Sequence, residues 1–244
     1  MISPPLERID LNAPPKWYLK GVVAEHRKRY EFIATSVQGL RVLDSACGSG
    51  YGSAILAAKA KEVVGVDICP QAVAEAAAAY GSPTVQFTCA DARKLPFEAN
   101  RFDVAASFET IEHLPSESIE DYLKELQRVV VPGGSIFIST PEKDSYSLGG
   151  PTGNPFHTRE FCRREFLDCL GRYFGVHTVY GQEFSPRWQV NLARALARGT
   201  LFAPMSRAWR AYKMVVDWSG EVLPADSRPR HVPLVMLVEA ANRK

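Results

Sequence analysis

The stretch Val42-Leu43-Asp44-Ser45-Ala46-Cys47-Gly48-Ser49-Gly50-Tyr51-Gly52 constrains this chain more than any other. It reads as the end of an apolar strand, an acid, a run of small residues and an alanine-rich helix from Ser53 to Ala60. Glycine has no Cβ, so it lets the backbone turn sharply and approach a ligand closely. A strand feeding such a turn and then a helix presents free N–H groups above the carboxyl ends of a parallel sheet. Many tight turns look alike, however, and the neighbouring segments must decide.

Those neighbours alternate between strand and helix. Arg41 to Asp44 is a first strand, and Glu62 to Asp67 is a continuous apolar run ending in an acid, as for a strand buried on both faces. Pro70 opens a helix through Ala72–Tyr80, closed by Gly81. Val85–Cys89, Phe102–Phe108 and Ser135–Thr140 follow as strands, with an amphipathic helix over Ser116–Val130 between the last two. A helix over Thr158–Leu170, a strand over Val176–Gly181 and a last strand over Pro233–Ala240 complete the pattern. The expected fold is α/β: a doubly wound, mostly parallel, Rossmann-like sheet of seven strands, the last antiparallel. Its parts are an N-terminal arm and helices (1–37), the α/β core (38–181), a mostly helical insertion (182–231) and the last core strand (232–244).

Composition narrows the class. At 244 residues, 46% hydrophobic and 23% charged, the chain has enough apolar residues for one elaborated core. No apolar run approaches the length of a membrane span, and the proline-containing N-terminus is unlike a secretory signal. Five cysteines, an odd number without a Cys-x-x-Cys pair, suit reduced thiols in a cytoplasmic protein. Residues 41–157 carry 9 basic and 15 acidic side chains, whereas residues 159–230 carry 12 basic and 7 acidic. Either this is ordinary surface scatter or the C-terminal part faces an anionic acceptor, a nucleic acid or a membrane surface.

Two cofactor classes use a strand–Gly loop–helix opening with an acid at the end of strand two, here Asp67, for the ribose hydroxyls. Three features favour S-adenosylmethionine (SAM) over a nicotinamide dinucleotide. The glycines at 48, 50 and 52 do not follow the G-x-G-x-x-G spacing. Asp44 would repel a pyrophosphate but suits an ammonium group. Asp91, just past strand three in Cys89-Ala90-Asp91-Ala92, can accept from the exocyclic amine of adenine.

With these blocks in the order Val42–Gly50, Val64–Ile68, Cys89–Phe97, Phe102–Glu109 and Leu126–Ile136, the chain resembles the class I SAM-dependent methyltransferases. One departure is Ala46, where that family most often has its first glycine. The resemblance implies that Asp44, Ala46, Cys47, Gly48 and Gly50 line the methionine part of the cofactor. It implies that Asp67 and Ile68 hold the ribose and one adenine face, that Asp91 and Ala92 meet the adenine, and that Phe108 lies beneath the sulfonium. The segment Glu25–Phe32 resembles one that precedes the core in methyltransferases of glycan-biosynthesis clusters, so that Tyr30 or Arg29 could close over the cofactor carboxylate; a solvated basic face is the plainer reading.

After strand four the chain reads Phe108-Glu109-Thr110-Ile111-Glu112-His113. On a helical turn positions 109, 112 and 113 share one face, and His157 lies where the chain returns to the same crevice after strand five. Either histidine could take the proton from an acceptor hydroxyl, with Glu109 beside them. Two carboxylates and two imidazoles (Glu109, Glu112, His113, His157) also suit Mg²⁺ or another divalent metal. This Glu-x-x-Glu-His pattern resembles the metal site of small-RNA 3′-terminal 2′-O-methyltransferases, although the same pair occurs in methyltransferases without metal, where it orients loops. The expected activity is O-methylation of a small-molecule or glycan-type acceptor, with a phosphate-bearing acceptor among the options. RNA 2′-O-methylation, a non-catalytic SAM-binding regulator and a dehydrogenase are the competing readings.

Overall fold

The computed structural model describes residues 17–147, 154–191, 221–228 and 231–243. The expected proline arm (1–15) and most of the insertion, including Trp209, Tyr212, Trp218, Arg194, Arg198, Arg207 and Arg210, lie outside them.

Helix α1 (Trp17–Ile33) leads through a 3₁₀ turn (Ala34–Val37) into β1 (Arg41–Ser45). Then come α2 (Tyr51–Ala57), β2 (Glu62–Asp67), α3 (Pro70–Tyr80), β3 (Val85–Cys89) and β4 (Phe102–Phe108). The second half holds α4 (Ile119–Val129), β5 (Val130–Pro141), the single turn α5 (Lys143–Tyr146) and α6 (Arg163–Leu170). It closes with β6 (Phe174–Pro186), β7 (Leu223–Pro224) and β8 (His231–Asn242).

The strands form one sheet in the order β3-β2-β1-β4-β5-β8-β6-β7. Pairing is parallel from β3 to β5, and β8 runs antiparallel between β5 and β6. The expected doubly wound, mostly parallel sheet with an antiparallel last strand is therefore present. Among the described residues the sheet has eight strands rather than seven, because the two-residue β7 pairs Leu223 and Pro224 with Gly181 and Tyr180. The order reverses between β1 and β4, which opens a crevice at their carboxyl ends.

Side chains of alternate strand residues feed two cores, as the period of two requires. Leu43, Val64 and Val66 join α4 and α6 residues on one face, while Val42, Val63 and Val104 join Tyr30, Ile33 and Leu56 of α1 and α2 on the other. Helix α4 has the spacing that this demands. Ile119, Tyr122, Leu123, Leu126 and Val129 are its buried stripe, and Glu120 and Asp121 sit in its first turn, where the helix dipole favours acids.

Several boundaries differ from the sequence reading, and two of them concern the chain around the site. The segment 158–162 is not helical, and α6 starts only at Arg163, because residues 154–161 strap across the site and bond to Glu112. Strand β6 continues to Pro186 rather than ending at 181, since its pairing with β8 persists from Gln182 to Pro186 and outweighs local signals. Among the described residues no helix is long and apolar enough to cross a membrane.

Candidate active site

The loop between β1 and α2 is shaped by its small residues. Ala46 (φ 61), Gly48 (φ 55) and Gly50 (φ 79) all take left-handed backbone, so the turn reverses within five residues. For alanine this conformation stores about 1–2 kcal/mol of strain. A Cβ on Gly50 would come within 2.6 Å of Ala76 and 2.8 Å of Phe87, whereas one on Gly48 would meet nothing within 4 Å. Glycine at 50 is thus needed for packing, and Gly48 faces open space where a ligand can lie against the backbone. Cys47, which is buried, ties the loop to β2 through its N–H and the Val66 carbonyl at 2.9 Å.

Three strand-end acids surround this loop, and each is already held. Asp44 is fully buried; its Oδ1 accepts from the Tyr30 hydroxyl at 3.0 Å and its Oδ2 from Ser53 Oγ at 2.6 Å. Burial pushes its carboxyl up to about 6, against the opposing pull of those two hydrogen bonds. Asp67 accepts the N–H of Gly48 on Oδ2 and that of Cys69 on Oδ1, both at 2.9 Å, so it pins the loop to the end of β2. Asp91 pairs with the guanidinium of Arg93 at 2.6–3.0 Å, and its pKa is lowered chiefly by that contact. An adenine amine at Asp91 would have to share these oxygens, a competition the sequence reading left out. Ile68 is 52% exposed at the end of β2, an apolar surface available to a flat ring, and Ala92 is half-buried beside Asp91.

Helix α1 closes the methionine end. A Cβ on Gly52 would fall 2.1 Å from the Tyr30 ring, so only glycine lets Tyr30 settle onto α2. That ring lies edge-on to Phe108 at 4.8 Å and to Tyr51 at 5.9 Å. Phe108, at the end of β4, is accordingly buried under Tyr30.

Beyond Phe108 the chain makes the second half of the site. Glu109 takes φ 51, and its Oε1 accepts from Ser139 Oγ at 2.7 Å. A 3₁₀ turn over Ile111–His113 then carries Glu112 inward and His113 toward the strap. Glu112 is fully buried; Thr140 donates to its Oε2 at 3.1 Å, and its Oε1 has no partner. Burial first, and then the nearby charge of Glu109, push its carboxyl well above the ordinary value.

The carbonyl of Phe156 lies 3.0 Å from His113 Nδ1, so this nitrogen carries the hydrogen and Nε2 the lone pair of the neutral ring. His157 is oriented in the same sense: Nδ1 faces Glu160 Oε1 at 3.1 Å, and Nε2 faces the Asn154 amide nitrogen at 3.0 Å. The two imidazoles meet edge-on at 5.0 Å.

Glu112, His113 and His157 offer ligand atoms that all lie within 4.8 Å of one another. Glu109 is not in this set. The expected four-ligand cluster is therefore reduced to three, because Glu109 precedes the 3₁₀ turn in left-handed backbone and turns to Ser139 instead of sharing a helical face with Glu112. The sequence reading also missed Ser53, Ser139, Thr140, Asn154 and Glu160, which orient the key side chains. Their signal is weak, since hydroxyls and amides at loop positions are common.

Residues 43–138, the span from the first strand to the fifth, match the family model described as a methyltransferase domain. Residues 43–138 thus form a methyltransferase domain. A protein of Mycolicibacterium smegmatis named a probable S-adenosylmethionine-dependent methyltransferase is 36% identical over 146 residues, covering 59% of this chain and 55% of the relative. Tocopherol O-methyltransferase of Arabidopsis thaliana is 39% identical over 135 residues, covering 52% of this chain and 38% of the relative. The chain thus spans about half the length or less of these curated relatives. Its fold is shared with the YcgJ protein of Bacillus subtilis, with a TM-score of 0.61, 16% identity and coverage of 90% and 99% of the two chains. The cofactor that this family implies is SAM.

Proposed function

We propose that this methyltransferase transfers a methyl group from SAM to a hydroxyl oxygen of a small-molecule or glycan-type acceptor. The single observation that carries the reading is the cluster at the end of β4, where Glu112, His113 and His157 converge beside the loop framed by Asp44 and Asp67. An amine or thiol acceptor needs little help from a base, whereas an alcohol must lose a proton as its oxygen attacks. His113, fixed with Nδ1–H toward Phe156, is suited to take that proton on Nε2; His157 is fixed in the same sense toward Glu160, but its Nε2 must first release the Asn154 amide. That one relative is named an O-methyltransferase supports the same choice.

The chain's own residues then have distinct tasks. Asp44 receives the cofactor's ammonium group, Asp67 its ribose hydroxyls, and Ile68 one adenine face. Tyr30 and Phe108 wall off the methionine end and keep water from the transferring methyl. Displacement at the methyl carbon is in line, so most of the acceleration comes from alignment, with His113 or His157 holding the acceptor oxygen and receiving its proton.

A metal-assisted version has one specific observation in its favour, the partnerless Oε1 of fully buried Glu112 within reach of the two imidazoles. A carboxylate and two histidines fit a first-row divalent ion better than Mg²⁺, which prefers oxygen ligands. Such an ion would lower the pKa of a bound hydroxyl. Incubation with SAM and candidate quinols, glycans and RNA, with and without EDTA, followed by mass spectrometry, tests these readings together. A mass gain on a hydroxyl compound supports O-methylation, loss of it in EDTA supports the metal, and salt-sensitive methylation of RNA alone would replace the small-molecule acceptor. Bound SAM with no methylated product would favour a regulatory protein.

A further inference from the structure

We propose that Glu109 is an acceptor-binding residue, and that the acceptor carries a second hydroxyl on the carbon next to the one methylated. The proposal rests on the O-methylation reading above and narrows its acceptor to vicinal diols, phenolic or sugar-like.

Glu109 follows Phe108 at the carboxyl end of β4, which lies beside β1 where the strand order reverses. Its backbone is left-handed, with φ 51. Glycine, asparagine or aspartate takes that conformation more readily, so a glutamate there is held against backbone strain. Ser139 on β5 does the holding from both ends. The Glu109 N–H donates to the carbonyl and to Oγ of Ser139, each at 3.2 Å, and Ser139 Oγ donates back to Oε1 at 2.7 Å. Ser139 is fully buried, so the carboxylate is fixed by a rigid partner.

A second donor is what this carboxylate lacks. Among the described residues none donates to Oε2, and no cation pairs with Glu109. The guanidinium of Arg29, whose charge is felt at Glu112, donates instead to Oε1 of Gln182 at 2.6 Å. Three residues on, fully buried Glu112 likewise has an Oε1 without a partner. This corner of the crevice therefore offers more acceptor oxygens than its neighbours offer donors, and half-buried Glu109 is its accessible member. A ligand that fits must bring hydrogens. An ionised carboxylate only accepts, with about four lone-pair sites, so Oε2 can take a hydroxyl hydrogen while Oε1 keeps Ser139. With His113 receiving the proton of the methylated oxygen, Glu109 holds the neighbouring hydroxyl and fixes the acceptor's rotation for in-line attack.

The test is calorimetric titration of wild type and Glu109→Gln, each saturated with S-adenosylhomocysteine and kept in EDTA so that no diol binds through a metal. The probes are catechol against phenol, and cis-1,2-cyclohexanediol against cyclohexanol. Wild type should prefer a diol over its single-hydroxyl partner by roughly tenfold or more, and Glu109→Gln should lose that preference while still engaging Ser139 through its amide. Preference in the first pair names a phenolic acceptor, and preference in the second a sugar-like one. No preference in either pair, or the same preference in both proteins, overturns the proposal and leaves Glu109 as a strut between β4 and β5. If Glu109→Gln does not fold, Glu109→Asn, whose side chain tolerates left-handed backbone, is read by the same criteria. Methyl transfer from SAM to aniline but to none of the four hydroxyl probes would sink O-methylation itself, a result separate from the binding preference.

Discussion

The hydroxyl of Tyr30 donates to Oδ1 of Asp44 at 3.0 Å, joining the helix that precedes the core to the acid that opens the cofactor loop. Fourteen residues separate the two, and neither is accessible to solvent to any useful degree. The contact couples folding of α1 to the shape of the site. Replacing Tyr30 by Phe removes one donor to a buried carboxylate, at a cost of about 1–3 kcal/mol. Urea denaturation at neutral pH should show that loss; equal midpoints would mean that the hydroxyl contributes nothing.

Asp44 also sets a pH dependence. Its carboxyl is raised from 3.8 to about 6 in the fold, so the folded chain holds this proton more tightly than the unfolded one. The resulting stabilisation is complete below about pH 4 and is lost as pH rises through about 6, a span worth about 3 kcal/mol. The difference in stability between Asp44→Asn and wild type should therefore change in favour of Asn by about that amount from pH 4 to pH 7. Cofactor affinity should move oppositely, strengthening as Asp44 ionises above about pH 6. A flat affinity profile from pH 5 to 8 would detach Asp44 from the ammonium.

Gly48 and Gly52 separate ligand contact from packing. Gly48→Ala has room for its methyl but keeps φ 55, so it should cost about 1–2 kcal/mol of stability while obstructing the cofactor. Gly52→Ala drives a methyl into the Tyr30 ring and should cost about 1–3 kcal/mol through displaced α1 packing. Thermal unfolding with and without SAM distinguishes them: the ligand-induced rise in Tm should vanish in the first variant. A full rise there would place the cofactor elsewhere.

His113→Ala and His157→Ala should leave SAM affinity within a factor of two and slow turnover by about 10²–10⁴-fold, the usual range for a lost general base. The double variant should be little slower than the worse single one, because the two rings act as a unit at 5.0 Å. Single-turnover methyl transfer measures this, and a full-speed His113 variant would remove that residue from the chemistry.

Much of this arrangement was legible in the sequence, for a physical reason. Strands β1, β2 and β4 announce themselves as short apolar runs with an acid or aromatic at or next to the end, because burial on both faces leaves little choice of residue. The contacts that orient the site are different in kind. Arg29 and Gln182 are 153 residues apart, and Glu109 and Ser139 are 30 apart, so no local pattern couples them. Placing Glu109 with Glu112 assumed a regular helical turn, and the left-handed backbone at 109 broke that assumption. The Asp91–Arg93 pair, only two residues apart, was within reach of sequence reasoning and should have been weighed against adenine.

The central claim is that strand-end acids around a small-residue loop hold SAM. Isothermal titration of the purified chain with SAM, repeated on Asp67→Ala, tests it most directly. The account predicts saturable one-to-one binding by wild type and a loss of tenfold or more, about 1.4 kcal/mol or greater, in the variant. Absence of binding by folded wild type, or the same affinity in both proteins, would contradict it.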